Sequence, residues 1–325
     1  MNLPRRRFLQ MAAGAATLPA TPHLALALDY PTRPVRWIIS TAPGGPADIL
    51  ARLMGAWLTE RLGKPFIVES HPGAATNIGT EVVVRAAPDG YTLLVTAPSN
   101  AINTTLYKDL NFNEARDLVP VAGLIRGPFV MVVLPSFPAK TVPEFIAYAK
   151  ANPGVINFGS GGVGFATHVA SELFKMLAGV NMVHVPYRGQ GPAMTGLLGG
   201  QIQVLFDPVV SSLPNIRGGR LRALAVTTAT RSEVLRDVPP IRDFVSGYEA
   251  SVWFGASAPR NTPVAVVNKL NEEINAGLVD PTLKARLLDL GGTPMPMSPA
   301  EFGEFLADET EKWAKVINFA NIKPE

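Results

Sequence analysis

The sequence predicts an α/β protein of two lobes with a cleft between them. Short hydrophobic runs alternate with stretches of helical periodicity along most of the chain. Two of those runs pass through a glycine-rich turn directly into a helix. An extended segment in the middle, broken at Gly127-Pro128, suits a crossover between lobes. At 325 residues, 47% hydrophobic and 17% charged, the chain can bury a large core and is not of disordered composition.

The first run, VRWII (Val35 to Ile39), feeds Ser40 to Leu50, STAPGGPADIL. Ile49, Leu50, Leu53, Met54, Trp57, Leu58 and Leu62 then recur at helical spacing. The order is strand, glycine turn, helix. The free N–H groups that open such a helix can hold an anion, aided by the helix dipole; the same residues also suit a plain tight connection with Asp48 as a first-turn acid. A second strand is expected at Pro65 to His71 and a glycine turn at PGAAT, with Asn77 as N-cap of the next helix. Asp89-Gly90 should make a tight turn before a strand at Tyr91 to Thr96, and Pro98 should start a short helix. This alternation implies βαβ units and a mainly parallel sheet.

After Val119 to Ser136 the pattern repeats. TVPEFIAYAKANPG reads as a helix capped by Thr141. VINFGS, NMVHVPY and QIQVLFD read as strands separated by the helices GFATHVASELFKMLAG and GPAMTGLLGG. LRALAVTT (Leu221 to Thr228) and ASVWFGASAP are further strands. The chain closes with helices at TPVAVVNKLNEEINAGL, PTLKARLLDLG and PAEFGEFLADETEKWAKVINFA, with TPMPM a short strand. The expected division is residues 1–27 as a cleaved export signal, 28–126 and 227–325 as one lobe, and 127–226 as the other.

The start reads as an address. PRRRFLQ precedes the weakly hydrophobic MAAGAATL, and Ala25-Leu26-Ala27 resembles a cleavage site. Paired arginines before Phe-Leu suit twin-arginine export, with a general secretory signal as the alternative. Without Arg5, Arg6 and Arg7 the basic and acidic residues balance, so the charge of +3 indicates no nucleic-acid surface. No later stretch is long and apolar enough to span a membrane, and there is no cysteine. A soluble periplasmic protein is expected.

Gly159-Ser160-Gly161-Gly162-Val163-Gly164 follows a strand and precedes a helix, which formally matches a dinucleotide fingerprint. The acidic residue needed after the next strand is missing from Asn181 to Gly189, so a smaller anion held by main-chain N–H groups, Ser160 and Thr167 is the surviving reading. A nucleophile elbow would need glycine where Phe158 stands. His71, His168 and His184 lie in separate segments, so zinc is not expected. His168 reads first as a packed or capping histidine and second as a ligand contact. Asp207 either lines a cleft or caps the helix at Pro208. Trp253 and Phe254 suit a core, and the carboxylates of NKLNEE and ADETEK suit solvated helix faces. Nothing assembles into a catalytic set.

Seven blocks, in order, carry a resemblance: RPVRWIISTAPGGPADILARLMG, VESHPGAATNIGTE, PDGYTLLVTAPSN, INFGSGGVGFATHVASELF, VHVPYRGQGPAMTGLLGGQIQVLFD, LRALAVTT and YEASVWFGASAP. Together they resemble the substrate-binding proteins of tripartite tricarboxylate transporters, the Bug family, over residues 30–325. The resemblance implies a type II periplasmic-binding-protein fold, a small carboxylic acid as ligand, membrane permease subunits as partners, and a monomer without cofactor. It places the ligand at Thr41, Ala42, Pro43, Gly44, Gly45 and Asp48, and at Ser160, Gly161, Gly162, Val163, Gly164, Phe165, Thr167 and His168, with contributions from Ser99, Asn100 and Asp207. Two departures stand out. The family's second turn usually reads closer to P-G-A-G-G-N, whereas Ala75 and Thr76 replace the glycine pair here. Phe165 stands where small polar residues are common, and could narrow the pocket or stack on an aromatic acid. An exported α/β enzyme and a ligand sensor for a signalling partner are the competing readings.

Overall fold

The computed structural model describes residues 29–289 and 291–324. The export-signal and cleavage-site readings fall on residues outside these. Pro31–Glu325 forms one compact unit.

Strand β1 (Val35–Ile39) enters helix α1 (Pro46–Leu62), with Gly45 extended at the N-cap, Pro46 at the first helical position and Gly63 left-handed at the end. Strand β2 (Phe66–Ser70) follows, then a tight 3-10 turn (Ala74–Thr76) and α2 (Asn77–Val84). The cap of α2 is Thr76, in a left-handed conformation, and Asn77 is already helical, against the sequence expectation. The reason is that the Asn77 side chain is engaged elsewhere, accepting from Asn103 Nδ2 at 3.0 Å. Strand β3 (Thr92–Thr96) leads into α3 (Pro98–Leu106), and a four-residue helix α4 (Glu114–Asp117) precedes β4 (Leu118–Val133). The expected break at Gly127-Pro128 does not interrupt β4; the strand continues and changes neighbours there.

The later elements are α5 (Val142–Ala151), capped by Thr141 as expected, β5 (Asn157–Ser160), α6 (Ala166–Ala178), β6 (Val183–Pro186), α7 (Gln190–Leu198) and β7 (Val204–Pro208). Then come α8 (Val209–Arg217), β8 (Arg222–Val226), β9 (Ser251–Pro259), α9 (Val264–Val279), α10 (Pro281–Asp289), β10 (Thr293–Pro294) and α11 (Pro299–Ala320).

The strands join in the order β2-β1-β3-β9-β4-β7-β5-β6, with β8 and β10 also on β4. Each flank is parallel, as the βαβ reading requires. The centre is not: β9 runs antiparallel to both β3 and β4, and β4 antiparallel to β7, β8 and β10. Alternation of strand and helix specifies the flanks, but only long-range pairing determines the centre. Leu118 to Pro128 of β4 pairs with β9, and Phe129 to Val133 with β7.

These directions position the candidate site. In register, Thr96 at the end of β3 lies level with Gly255, which lies opposite Gly123 of β4. Asp207, near the end of β7, lies opposite Val130. Because β3 runs with β4 and β7 runs against it, the carboxyl ends of the two parallel flanks advance toward each other over the stretch between Gly123 and Val130. Seven residues at strand spacing put about 23 Å between those levels.

One core joins α3, α5, α6 and α11 to a sheet face, and another lies under α7 and α8. Trp253 and Phe254 are buried, as a core reading requires. The solvated-face reading fails for Glu309 and Glu273, both buried. Glu309 Oε2 accepts the indole N–H of Trp253 at 2.8 Å and of Trp313 at 2.9 Å, and Lys312 pairs with its other oxygen. Two buried indoles need an acceptor, so this carboxylate is structural.

Candidate functional site

Two glycine turns end β1 and β5, and each opens a helix. In the first, Thr41 to Gly44 are exposed, and Gly44 has a φ of 83° with open space where a Cβ would stand. Thr41 is held at its carbonyl by Ser70 Oγ at 2.7 Å. Asp48, one turn into α1, is buried; its Oδ2 accepts the Gly44 N–H at 2.9 Å and its Oδ1 lies 2.9 Å from Arg52 Nη2. Arg52 and then the Gly44 N–H hold the Asp48 carboxyl below its ordinary range. Asp48 is therefore an internal anion of the turn, and the Gly44 donor expected to face a ligand is engaged by it.

The second turn is likewise braced from within. Gly162 N–H donates to Ser160 Oγ at 3.1 Å, Gly161 N–H reaches Thr167 Oγ1 at 3.4 Å, and Gly164 N–H donates to His168 Nδ1 at 3.1 Å. His168 thus caps the loop, in line with the first of its two sequence readings. Its ring stacks on His184 with centroids 3.7 Å apart, and Phe158 stacks on His184 at 4.9 Å. Burial, then the neighbouring His184 and Lys175, push His168 down to about 3; burial and Lys175 push His184 down to about 4. Both rings are neutral at pH 7. Ser160 Oγ lies 2.6 Å from His184 Nε2, a spacing shared with activated nucleophiles, yet Ser160 is fully buried and also bonds the Gly162 carbonyl at 3.0 Å. It serves the turn.

Among the described residues of the two turns, the N–H groups of Ala42, Gly45 and Val163 are donors with no partner inside the protein. No lysine or arginine belongs to either turn, and nearby Lys175 is tied to Glu172 at 2.8 Å. An anion there would meet neutral donors and two helix N-termini.

Thr167 Oγ1 donates to Gln190 Oε1 at 3.2 Å, and Gln190 Nε2 donates to the Phe206 carbonyl at 3.1 Å, so the second turn is wired to the end of β7. Next along that strand, Asp207 accepts from Ser211 and Ser212 hydroxyls, both at 2.6 Å, through Oδ2. These bonds anchor the start of α8, as the capping alternative expects. Its Oδ1 is buried without a partner, and burial raises its pKa. Phe165 is 51% exposed, with its ring over Gly161 and Gly162. Ser99 is half-buried in the first turn of α3, while Asn100 is buried, accepting from Ala97 N–H at 2.8 Å and donating to Thr80 Oγ1 at 3.0 Å. Helix α3 links the two turns: it starts beside the first, because β3 parallels β1, and its Leu106 methyl would clash with a Cβ on Gly164 of the second.

Sequence reasoning passed over Gln190, Asn103 and the His168–His184 stack. None has a local signature; each acts through a partner more than 15 residues away. Among the described residues no three His, Asp or Glu side chains are grouped to hold a metal.

A family model described as "Tripartite tricarboxylate transporter family receptor" matches residues 50–322. The chain is 34% identical over 299 residues to Protein BugT of Bordetella pertussis, covering 90% of this chain and 91% of that protein. Among solved structures, an R. palustris protein with adipate superposes with a TM-score of 0.80 at 34% identity, covering 91% of this chain and all of the other. MatC from Rhodopseudomonas palustris with bound malate superposes with a TM-score of 0.75 at 31% identity, covering 89% of this chain and all of the other.

Proposed function

The chain belongs to the tripartite tricarboxylate transporter receptor family, and from that premise we propose that it is a periplasmic solute-binding protein that captures a small carboxylic acid and delivers it to a membrane transporter. The observation that carries the proposal is the family match, with relatives solved around adipate and malate, on a chain whose two glycine turns advance toward one stretch of β4. In this reading residues 28–126 and 227–325 make one lobe and 127–226 the other, with one turn on each. The ligand carboxylate meets the N–H groups of Ala42 and Gly45 from one side and Val163 from the other, with Asp48, Thr167 and His168 fixing the shape of the turns rather than touching the acid directly. Phe165 forms the rim.

Hydrogen bonds to a charged group contribute about 1.5–3 kcal/mol each. Three or four, less the costs of association, reach about −8 kcal/mol, which is micromolar. Contacts from both lobes exist only when they are closed, so ligand shifts the population to the closed form, the form a permease would recognise. Family members are receptors rather than enzymes, and the Ser160–His184 pair, buried and without a carboxylate partner, favours no catalytic alternative. Export through the twin-arginine route and a monomeric state belong to the same proposal.

The test is isothermal titration of the purified protein with adipate, malate and an aromatic monocarboxylate. Micromolar binding of at least one acid, with compaction in small-angle scattering, is expected. An acid that binds with no change of shape would remove the closure step, and the absence of binding across a broad panel of carboxylates would remove the ligand class.

A further inference from the structure

Phe165 is the N-cap residue of α6, yet its side chain makes no capping bond and is exposed. Its ring spans the second glycine turn. Cδ1 stands 3.0 Å from where a Cβ on Gly161 would lie, and Cδ2 and Cε2 stand 3.3 and 3.4 Å from the corresponding point on Gly162. Two glycines thus leave the ring a seat on the loop, while the hydrogen bonds that brace the turn come from Ser160, Thr167 and His168. The turn does not need the ring for its shape. On the opposing edge, Ile78 in the first turn of α2 leans over its own glycine turn in the same way, its Cδ1 2.6 Å from where a Cβ on Gly73 would stand. Ile49, in the first turn of α1, is a further exposed apolar side chain beside Gly45.

We infer that Phe165 selects the body of the ligand, and that the acid taken by these turns is an aromatic monocarboxylate whose ring packs on Phe165. The inference rests on the acid-binding reading of the two turns and adds to it the class of acid. A carboxylate on the free Val163 N–H lies two residues from Phe165, a span of at most about 7 Å. The group attached to that carboxylate is therefore within reach of the exposed ring surface. Aromatic pairs are favoured beyond the area they bury, so a phenyl body gains more there than an aliphatic chain of equal size.

A second carboxylate would be poorly served. The loops that follow β1, β2, β3, β5, β6 and β7 carry two basic residues, His71 and Arg188. His71 is half-buried and lies 3.4 Å from Glu69. Arg188 is exposed, on a loop whose Tyr187 and Gly189 N–H groups donate to the Ser160 and Gly161 carbonyls, both at 3.0 Å. It is the one cation placed to favour a diacid. A charged end turned instead toward Phe165, Ile49 and Ile78 would lose water and find no donor.

The experiment is isothermal titration of the full protein with 3-phenylpropionate, its saturated counterpart 3-cyclohexylpropionate, and adipate. The wild type should bind 3-phenylpropionate about tenfold more tightly than adipate and about threefold more tightly than 3-cyclohexylpropionate. Phe165→Ala should remove most of both preferences and Phe165→Trp should retain them, with thermal unfolding showing that each variant is folded. Equal affinity for the phenyl and cyclohexyl acids, or preferences unchanged in Phe165→Ala, overturns the inference and leaves the acid-binding turns standing. Adipate as the tightest of the three, with its advantage lost in Arg188→Gln, overturns it in favour of a diacid. No binding of any of the three, nor of a wider carboxylate panel, removes the acid-binding reading itself and this inference with it.

Discussion

Replacing Thr76 with glycine should stabilise this protein. Ala74, Ala75 and Thr76 have φ of 45°, 50° and 81°, three consecutive side chains in the left-handed region. That region costs an L-residue about 1–2 kcal/mol, and a β-branched residue belongs at the upper end. Glycine removes this cost but adds unfolded-chain entropy, about 0.5–1 kcal/mol. Little else is lost: Thr76 Oγ1 accepts only a long 3.4 Å contact from Asn103, and the 3.1 Å bond from Thr80 Oγ1 goes to the Thr76 carbonyl, which remains. The net gain is about 1 kcal/mol, or about 2 °C in Tm for a chain of this size. Calorimetry of Thr76→Gly, with Gly44→Ala as the opposite control at φ 83°, tests the argument. A lower Tm for Thr76→Gly, or a higher one for Gly44→Ala, would refute the strain account. Asn103 clamps the turn by donating to the Ala75 carbonyl at 2.6 Å, so Asn103→Ala should cost more than a surface substitution, about 2 kcal/mol.

Glu309→Ala should destabilise by about 3 kcal/mol or more, since two buried indole N–H groups lose their charged acceptor, and urea unfolding measures this. Gly161→Val should abolish acid binding in titration, because its Cβ meets the Phe165 ring at 3.0 Å and Gln190 Oε1 at 3.2 Å; Gly44→Val should do so through backbone strain alone. His168 is held at about 3, below its ordinary 6.5, so below pH 6.5 the unfolded chain binds a proton that the native state refuses. Stability should therefore fall as pH drops from 6.5 toward the native value, by up to about 1.4 kcal/mol per pH unit. Glu114, raised to about 7, works in the other direction between 7 and 4.5, so the check is the difference in pH slope between wild type and His168→Gln, which should be shallower in the variant.

What could be read in the chain was local. VRWII, the turn Pro43 to Pro46 and the helical repeat of Leu50, Met54 and Leu58 state strand, turn and helix within one window, and all three form. Thr141 caps its helix because cap and helix adjoin. What the chain hid was pairwise and distant. Nothing near Ser251 announces that β9 inserts antiparallel between β3 and β4, more than 100 residues earlier. Nothing in ADETEK distinguishes Glu309 from its solvated neighbours; only the arrival of Trp253 on the same helix face makes it a buried acceptor. The glycine turns were legible as backbone shapes. That Asp48, Ser160, Thr167 and His168 engage their N–H groups was not, because side-chain direction within a turn follows from packing.

The topology explains why a site should fall where it does. A parallel flank collects its helix N-termini and glycine turns at its carboxyl edge, where ligands of open α/β sheets bind. Two such flanks pointing the same way along β4 would leave one carboxyl edge facing the middle of that strand and the other facing away from it. Here β9 and β4 are inserted antiparallel, β3 and β7 approach from opposite directions, and both carboxyl edges advance toward Gly123 to Val130. That same stretch is where β4 exchanges β9 for β7 and where the β4–β9 register slips between Gly123 and Ile125, just after another slip between Pro120 and Ala122. Irregular pairing makes a strand easier to bend than a regular ladder. The stretch toward which the two carboxyl edges advance thus contains an irregular part of the central sheet. On the proposed reading, closure therefore requires β4 and β9 to flex while the two parallel flanks move as rigid bodies.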